Sequence, residues 1–155
     1  MSVKPIPPGY EGVTAYLIMD DAAKAIDYYK KAFGATELFR MPMGDKIGHA
    51  EIKIGKAVVM LADEHPQMGY KSPKAYGGTP VSLMFYTEDV DSVFKRAIEA
   101  GAKETKAVAD QFYGDRSGTL TDPFGHVWTI ATHKEDVSQE EMDRRLQAMM
   151  KHQNQ

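Results

Sequence analysis

Several features that would assign a chemistry are missing from this chain of 155 residues. It has no cysteine, which excludes disulfides, thiolate catalysis and cysteine-bound zinc. Its 19 Lys and Arg face 22 Asp and Glu, so there is no basic field, and we expect no nucleic-acid partner. No apolar run approaches the roughly 18 residues of a membrane span, and the first residues lack the pattern of a signal peptide. We therefore expect no membrane contact and a cytoplasmic location.

The familiar catalytic motifs are missing as well: there is no G-x-S-x-G elbow, no P-loop and no dinucleotide fingerprint. Apolar residues make up 43% of the chain and charged residues 26%, which is ordinary for one globular domain. The information therefore lies in the patterning of the residues.

That patterning repeats once. In each half, a strand-like run is followed by apolar residues at helical spacing, a glycine that ends the helix (Gly34, Gly101) and a strand hairpin. Weaker alternation at 37–41 and 104–108 adds one strand to each half. The sequence thus predicts an α+β fold of two tandem βαβββ modules, at about 10–64 and 80–134, within one domain of residues 1–135. The predicted strands lie at 13–18, 37–41, 48–54, 57–62, 81–86, 104–108, 117–121 and 126–132.

The tight turn at Gly55-Lys56 fixes which side chains share a face. A two-residue turn pairs Ile54 with Ala57 and Ile52 with Val59, and paired residues point to the same side of a sheet. One face is then apolar and covered by the helix, while the other is mixed and open. The first strand of each half alternates in the same way and predicts Val13 and Val81 on the covered face. Twisted sheets curl, so the open faces would line a cup of curved mixed sheet.

A polar segment, 136–155, follows the second module. Ser138 with Glu141 three residues later is a capping box, which predicts a C-terminal helix. Its apolar stripe is expected to dock on the chain's own sheet, the alternative being a partner surface, and the tail from His152 is expected to fray. The stripe consists of Met142, Leu146, Met149 and Met150.

Four stretches carry a family resemblance: residues 9–17, the helix 25–35, His49-Ala50-Glu51-Ile52, and the string 112–128 around Asp122-Pro123-Phe124-Gly125. The sequence resembles the glyoxalase/bleomycin-resistance (vicinal oxygen chelate) superfamily, and within it the PhnB-like branch, from about Gly9 to Glu141. The resemblance implies paired βαβββ modules, homodimers and a small-molecule site inside the cup.

Metal-dependent members of that superfamily place one His or Glu on each of four strands. Carried over to this chain, those positions fall on Thr14, Met60, Ser82 and Thr129. Hydroxyls are weak neutral donors, and a thioether does not suit a hard or borderline cation. We therefore expect no metal or other cofactor, and metal-dependent isomerisation is in doubt.

Alternation and the resemblance together give a candidate ligand pocket. His49 and Glu51 lie two apart on one strand: a general base with its orienting carboxylate, a substitute metal pair, or a solvated contact. Arg116 could bind a ligand carboxylate or phosphate, or pair with Asp115 or a nearby carbonyl. The long connection 63–79 is expected to act as a lid. The pocket residues are Thr14, Tyr16, His49, Glu51, Met60, Ser82, Met84, Tyr113, Arg116, Thr129 and His133.

Three functions fit these residues. The first is a metal-free homodimer that binds a small organic ligand in the cup, its reaction, if any, unknown. The second is a metal-dependent glyoxalase-like lyase or isomerase whose ligands have moved to His49 and Glu51, with His133 as a further candidate. The third is a drug-sequestering protein of the bleomycin-resistance kind.

Overall fold

The computed structural model describes residues 3–153, and it confirms the two βαβββ modules. The first unit contains β1 (Ala15–Met19), α1 (Ala22–Phe33), β2 (Thr36–Met43), β3 (Lys46–Ile54) and β4 (Ala57–Asp63). A 3₁₀ turn (Pro66–Met68) and α2 (Pro73–Tyr76) connect the units. The second unit contains β5 (Ser82–Tyr86), α3 (Val90–Glu99), β6 (Lys103–Asp110), β7 (Asp115–Thr121) and β8 (Val127–His133), and α4 (Gln139–Gln153) follows it.

Each unit has its own four-stranded mixed sheet. The strand orders are β1-β4-β3-β2 and β5-β8-β7-β6, with β1 parallel to β4 and β5 parallel to β8. The β3–β4 hairpin has the predicted register, with Ile54 opposite Ala57 and Ile52 opposite Val59. Ile52 and Val59 are buried, so this face packs against the helix. We call the other side of each sheet its open face.

Two core predictions are wrong, and both lie just before a strand. Val13 and Val81 are exposed, whereas alternation placed them on the covered face. β1 begins only at Ala15 and β5 only at Ser82. Alternation assigns a face only where a strand is paired, so it fails beyond the ends of the sheet.

Helix α1 joins the two units. It begins at Asp21, whose carboxylate accepts from the Lys24 amide at 3.0 Å, and it ends at Gly34 in the left-handed region that favours glycine. The Phe33 ring lies 5.0 Å, centroid to centroid, from the rings of both Phe85 and Trp128 in the second unit. The units therefore share one aromatic core.

Asp122 fixes this junction with a buried carboxylate that is 4% exposed. Its Oδ1 accepts from the backbone amides of Phe124 and His126 at 2.9 and 3.0 Å, which caps the turn. Its Oδ2 accepts from Trp128 Nε1 at 2.9 Å and from the Tyr29 hydroxyl of α1 at 2.5 Å. One carboxylate thus satisfies donors from both units.

The prediction for the C-terminal helix is only half right. Ser138 Oγ accepts from the Glu141 amide at 3.2 Å, so the capping box forms. The expected docking is wrong: Leu146, Met149 and Met150 are exposed. Ion pairs between Arg145 and residues 135 and 141 hold the start of α4 instead. Helix α4 reaches Gln153, residues 154–155 lie outside the described chain, and fraying of the tail stays a prediction. Within residues 3–153, no helix is long and apolar enough to cross a membrane.

Candidate functional site

The open face of the first sheet brings several predicted site residues together. Tyr16 on β1 lies opposite Met60 on β4, and Met60 lies opposite Glu51 on β3. His49 shares this face with Glu51 because the two are separated by one residue on the same strand. Thr14 precedes β1 and is half-buried.

A chain of hydrogen bonds links three of these side chains. The Tyr16 hydroxyl lies 2.8 Å from His49 Nδ1, and His49 Nε2 lies 3.0 Å from Glu51 Oε1. An ionised carboxylate only accepts, so the His49 proton is on Nε2, and Nδ1 of the neutral imidazole accepts from Tyr16. The Tyr10 hydroxyl donates to the second oxygen of Glu51. We refer to the three linked side chains as the Tyr16–His49–Glu51 chain.

The hydrogen bonds also set the charges at this site. Donation from Tyr10 and then from His49 holds the pKa of Glu51 below its ordinary value of 4.5. Partial burial, followed by the nearby Tyr70 and Glu51, raises the pKa of Tyr16 above 10.0. At neutral pH the site therefore holds a carboxylate anion and a protonated tyrosine.

Two cavities adjoin Tyr16. The smaller, of about 350 Å³, lies against the first open face, with thioethers from Met41, Met43 and Met68 and the ring of Tyr70 in its wall. The larger, of about 680 Å³, lies between β1 and β5. Cavities of this size, largely apolar with a few polar groups, suit small organic molecules.

The predicted lid forms one wall of the larger cavity. Residues 76–80 line it, beside Tyr16 and Leu83. The Glu64 carboxylate accepts from the Ser72 amide at 2.7 Å, and Lys74 Nζ lies 2.8 Å from the Asp20 carboxylate. These bonds tie the N-terminal end of α2 to the first unit. Opening and closing of this segment stays a prediction.

The second open face carries a different polar cluster. The Tyr86 hydroxyl donates to Asp115 Oδ2 at 2.7 Å, and His133 Nδ1 lies 2.8 Å from Asp115 Oδ1. His133 Nε2 lies 2.9 Å from Asp136. Asp115 and then Asp136 raise the pKa of His133 above 6.5, because both favour the charged imidazolium. We call this set the Tyr86–Asp115–His133 cluster.

The remaining predicted pocket residues of the second unit are placed differently from one another. Ser82 and Met84 are exposed on the open face beside Tyr86, and the Thr129 hydroxyl lies 3.0 Å from that of Thr119. Tyr113, 38% exposed, lies in the turn before β7.

Arg116 does not join these residues, because its neighbours Gly118 and Leu120 on alternate positions of β7 face α3. Its guanidinium makes two bonds of 2.8 Å to Asp91 of α3 and one of 3.1 Å to Asp110. The hydrogen bonds to these carboxylates raise the pKa of Arg116. The partners are therefore neither Asp115 nor a carbonyl, and the structure gives this side chain a structural ion pair on the helix side.

The residues at the four carried-over metal positions do not fit a divalent ion. Thr14, Ser82 and Thr129 offer hydroxyls and Met60 a thioether, and the Thr129 hydroxyl is already bonded to Thr119. In the part of the chain that the structure describes, no group of three His, Asp or Glu side chains could hold an ion. The relocated set is not assembled either, since His133 belongs to the second sheet and bonds Asp115 and Asp136.

Sequence reasoning missed three parts of the site. Tyr10 lies outside any periodic segment, so nothing indicated its contact with Glu51. Asp115 was considered only as a partner of Arg116, although alternation along β7 places it on the open face. β2 continues past its predicted end at Met41 as far as Met43, and the alternation of these two residues could have indicated the smaller cavity.

Comparison with known proteins supports the class that the paired modules define. Residues 13–130 match the family model of the Glyoxalase/Bleomycin resistance protein/Dioxygenase superfamily. The chain belongs to this superfamily.

Its relatives extend over most of the chain. An uncharacterized protein of Mycobacterium bovis is 46% identical over 134 residues, which cover 84% of this chain and 88% of that protein. Among solved structures, TioX from Micromonospora sp. ML1 has a TM-score of 0.63 at 26% identity and covers 83% of this chain and 100% of its own. The fosfomycin resistance protein FosX from Mesorhizobium loti has a TM-score of 0.59 at 16% identity, with coverages of 80% and 93%. The last likeness shows the fold alone.

Proposed function

We propose that this chain is a metal-free member of the superfamily that binds a small organic ligand beside Tyr16. The observation that carries the proposal is the pair of cavities that meet at Tyr16, next to the Tyr16–His49–Glu51 chain. The unsuitable donors at the four carried-over positions support binding without a metal. Within the superfamily we assign the chain to the PhnB-like branch because of the motif at 112–128. We also propose that the protein is located in the cytoplasm.

The smaller cavity indicates what part of a ligand it would hold. Thioethers are polarizable and adapt to irregular shapes, and aromatic rings stack well on tyrosine. The walls around Met41, Met43 and Tyr70 therefore favour a flat apolar or aromatic group. The hydroxyl of Tyr16 at the edge would meet a polar substituent.

The proposal includes a homodimer. Large apolar side chains on the open faces are about half exposed in the single chain, among them Phe39, Met41, Met84 and Tyr86. Aromatic and methionine side chains are enriched in interfaces between proteins. We expect twice the 17.3 kDa of the chain in sedimentation equilibrium.

Dye binding with a matched pair of glycine variants tests the proposal. A side chain at Gly48 would enter the wall of the smaller cavity against the flexible Met41 and Met43, whereas one at Gly12 would meet open space. We expect 1-anilinonaphthalene-8-sulfonate to bind with and without EDTA. Its affinity should fall at least about tenfold in Gly48→Leu and stay unchanged in Gly12→Leu, as expected when roughly 1.4 kcal/mol of contact is lost.

Equal affinity in the two variants would contradict a site in the smaller cavity. Elemental analysis of protein purified without chelator provides the second check, since one tightly held divalent ion per chain would overturn the metal-free proposal. A natural ligand released chemically unchanged would place the chain with drug-sequestering proteins of the bleomycin-resistance kind.

A further inference from the structure

We propose that the Tyr16–His49–Glu51 chain is a proton relay that removes a proton from the bound ligand, with Tyr16 as the contacting group and His49 as the final acceptor. This inference rests on the proposed ligand site and adds a reaction to it. It assigns the role of base to His49, whose pattern with Glu51 left a base, a metal pair and a solvated contact open.

Tyr16 offers a polar group to a ligand in either cavity. Its side chain is part of the wall of both cavities. The hydroxyl hydrogen of Tyr16 points to His49 Nδ1 over 2.8 Å, which leaves the lone pairs of Oη free to accept. The distance is within the reach required of a general base and its donor.

The relay moves one proton through two bonds. The ligand X–H bond breaks and its electron pair stays on the ligand. The released proton binds Tyr16 Oη while the hydroxyl proton of Tyr16 passes to His49 Nδ1. The imidazole becomes an imidazolium, and its Nε2–H stays bonded to Glu51. Nothing is oxidised or reduced, and tyrosine never carries a full negative charge.

Glu51 and Tyr10 act through His49 and are positioning residues. The Glu51 carboxylate fixes the tautomer of His49 and stabilises the imidazolium that forms. The Tyr10 hydroxyl holds the other carboxylate oxygen. The groups facing the imidazole are Tyr16, Glu51 and the ring of Phe39, whose centroid lies 6.3 Å away. The carboxylate is the charged group among them.

Base-promoted ring opening of 5-nitrobenzisoxazole tests the relay with a probe that suits an apolar wall. Removal of its C–H proton forms a nitrile as the N–O bond breaks, and the phenolate product absorbs visible light. We expect a rate above buffer for the unmodified protein, and a loss of at least tenfold in both His49→Gln and Tyr16→Phe. The exposed His152 on α4 provides the matched control, and His152→Gln should keep the full rate.

A pH profile separates positioning from mere structure at Glu51. The rate should rise with pH, because the relay needs neutral His49. In Glu51→Gln the imidazolium loses its stabilising anion, so the rising limb should move to lower pH. If Glu51 had a purely structural role, Glu51→Gln would lower the rate without changing the pH at which the rate rises. Nitrogen-15 NMR of the unmodified protein should show His49 protonated on Nε2 at neutral pH.

The two proposals fail in different ways. No rate above buffer, or a full rate in His49→Gln, overturns the relay, and so does an NMR spectrum with the His49 proton on Nδ1. Dye binding measured on the same samples reports on the ligand site: retained binding with an unchanged rate contradicts the relay alone. If Gly48→Leu binds the dye as tightly as Gly12→Leu, the proposed function is contradicted.

Discussion

The two open faces combine the same three kinds of side chain, a tyrosine, a histidine and a carboxylate, in a different order. In the first unit the imidazole of His49 lies between a tyrosine hydroxyl and a carboxylate. In the second unit the carboxylate of Asp115 lies between Tyr86 and His133. The central group differs in exposure too: Asp115 is 5% exposed in its side chain, and His49 is 21% exposed.

This order decides what each cluster can do. A neutral imidazole in the middle accepts a proton on one side and has its charge stabilised on the other, so the first cluster suits proton transfer. A buried carboxylate in the middle accepts from a donor on each side and satisfies both, so the second cluster suits structure. Residue type alone does not distinguish a relay from a structural network, whereas the hydrogen-bond order does.

The largest expected effect on stability comes from removing the carboxylate of Asp122, which bonds donors of both units. Asp122→Ala leaves the Tyr29 hydroxyl, the Trp128 indole N–H and two backbone amides without their acceptor. We expect the free energy of unfolding to fall by about 3–4 kcal/mol, measured by urea denaturation. Asp45→Ala in the exposed β2–β3 turn is the control and should stay within about 0.5 kcal/mol. A similar loss of unfolding free energy in both variants would contradict the role of Asp122 in joining the two units.

Removing the carboxylate from each cluster tests their proposed roles directly. Asp115→Ala should cost about 1–3 kcal/mol of unfolding free energy, because Tyr86 and His133 lose a buried acceptor. Glu51→Ala should cost less than about 1 kcal/mol, since water can replace a carboxylate that is 19% exposed. Denaturation of both variants measures the difference, and a larger loss for Glu51 would reverse the assignment.

The smallest effect is a titration. The raised pKa of His133 means that the folded state binds its proton more tightly than the unfolded chain. Its contribution to stability is therefore complete below about pH 6.5 and disappears as the pH rises through the folded-state pKa. The stability difference between the unmodified protein and His133→Gln should shrink between pH 5.5 and pH 9.

Proton NMR of His133 gives the sharper measurement. Asp115→Asn should lower the pKa of His133 more than Asp136→Asn, because Asp115 is the stronger of the two influences. The reverse order would show that the buried carboxylate is not the main partner of the imidazole.

The sequence predicted the elements and faces where a local rule decides them. The turn at Gly55-Lys56 fixes the β3–β4 register, and from that register alternation correctly placed Ile52 and Val59 against the helix. The same rule put Glu51 beside Met60. It failed at Val13 and Val81, where the chain has not yet entered the sheet.

Contacts between distant elements could not be predicted. Tyr10 reaches Glu51 across 41 positions, and Arg116 reaches Asp91 across 25. Such contacts depend on side-chain direction and loop path, which no periodicity encodes. The apolar stripe on α4 shows the same limit. Its spacing correctly predicts a helix, but the surface that the stripe contacts depends on residues outside the helix.

The place of Trp128 has a practical consequence. It is the single tryptophan of the chain, buried at 3% exposure, and its indole N–H bonds the carboxylate that joins the halves. Its fluorescence therefore reports directly on the junction between the two units, and no added label is needed. Any event that separates the two modules would shift the emission of Trp128 to longer wavelength. The intrinsic fluorescence of the protein therefore measures whether the two modules remain packed together.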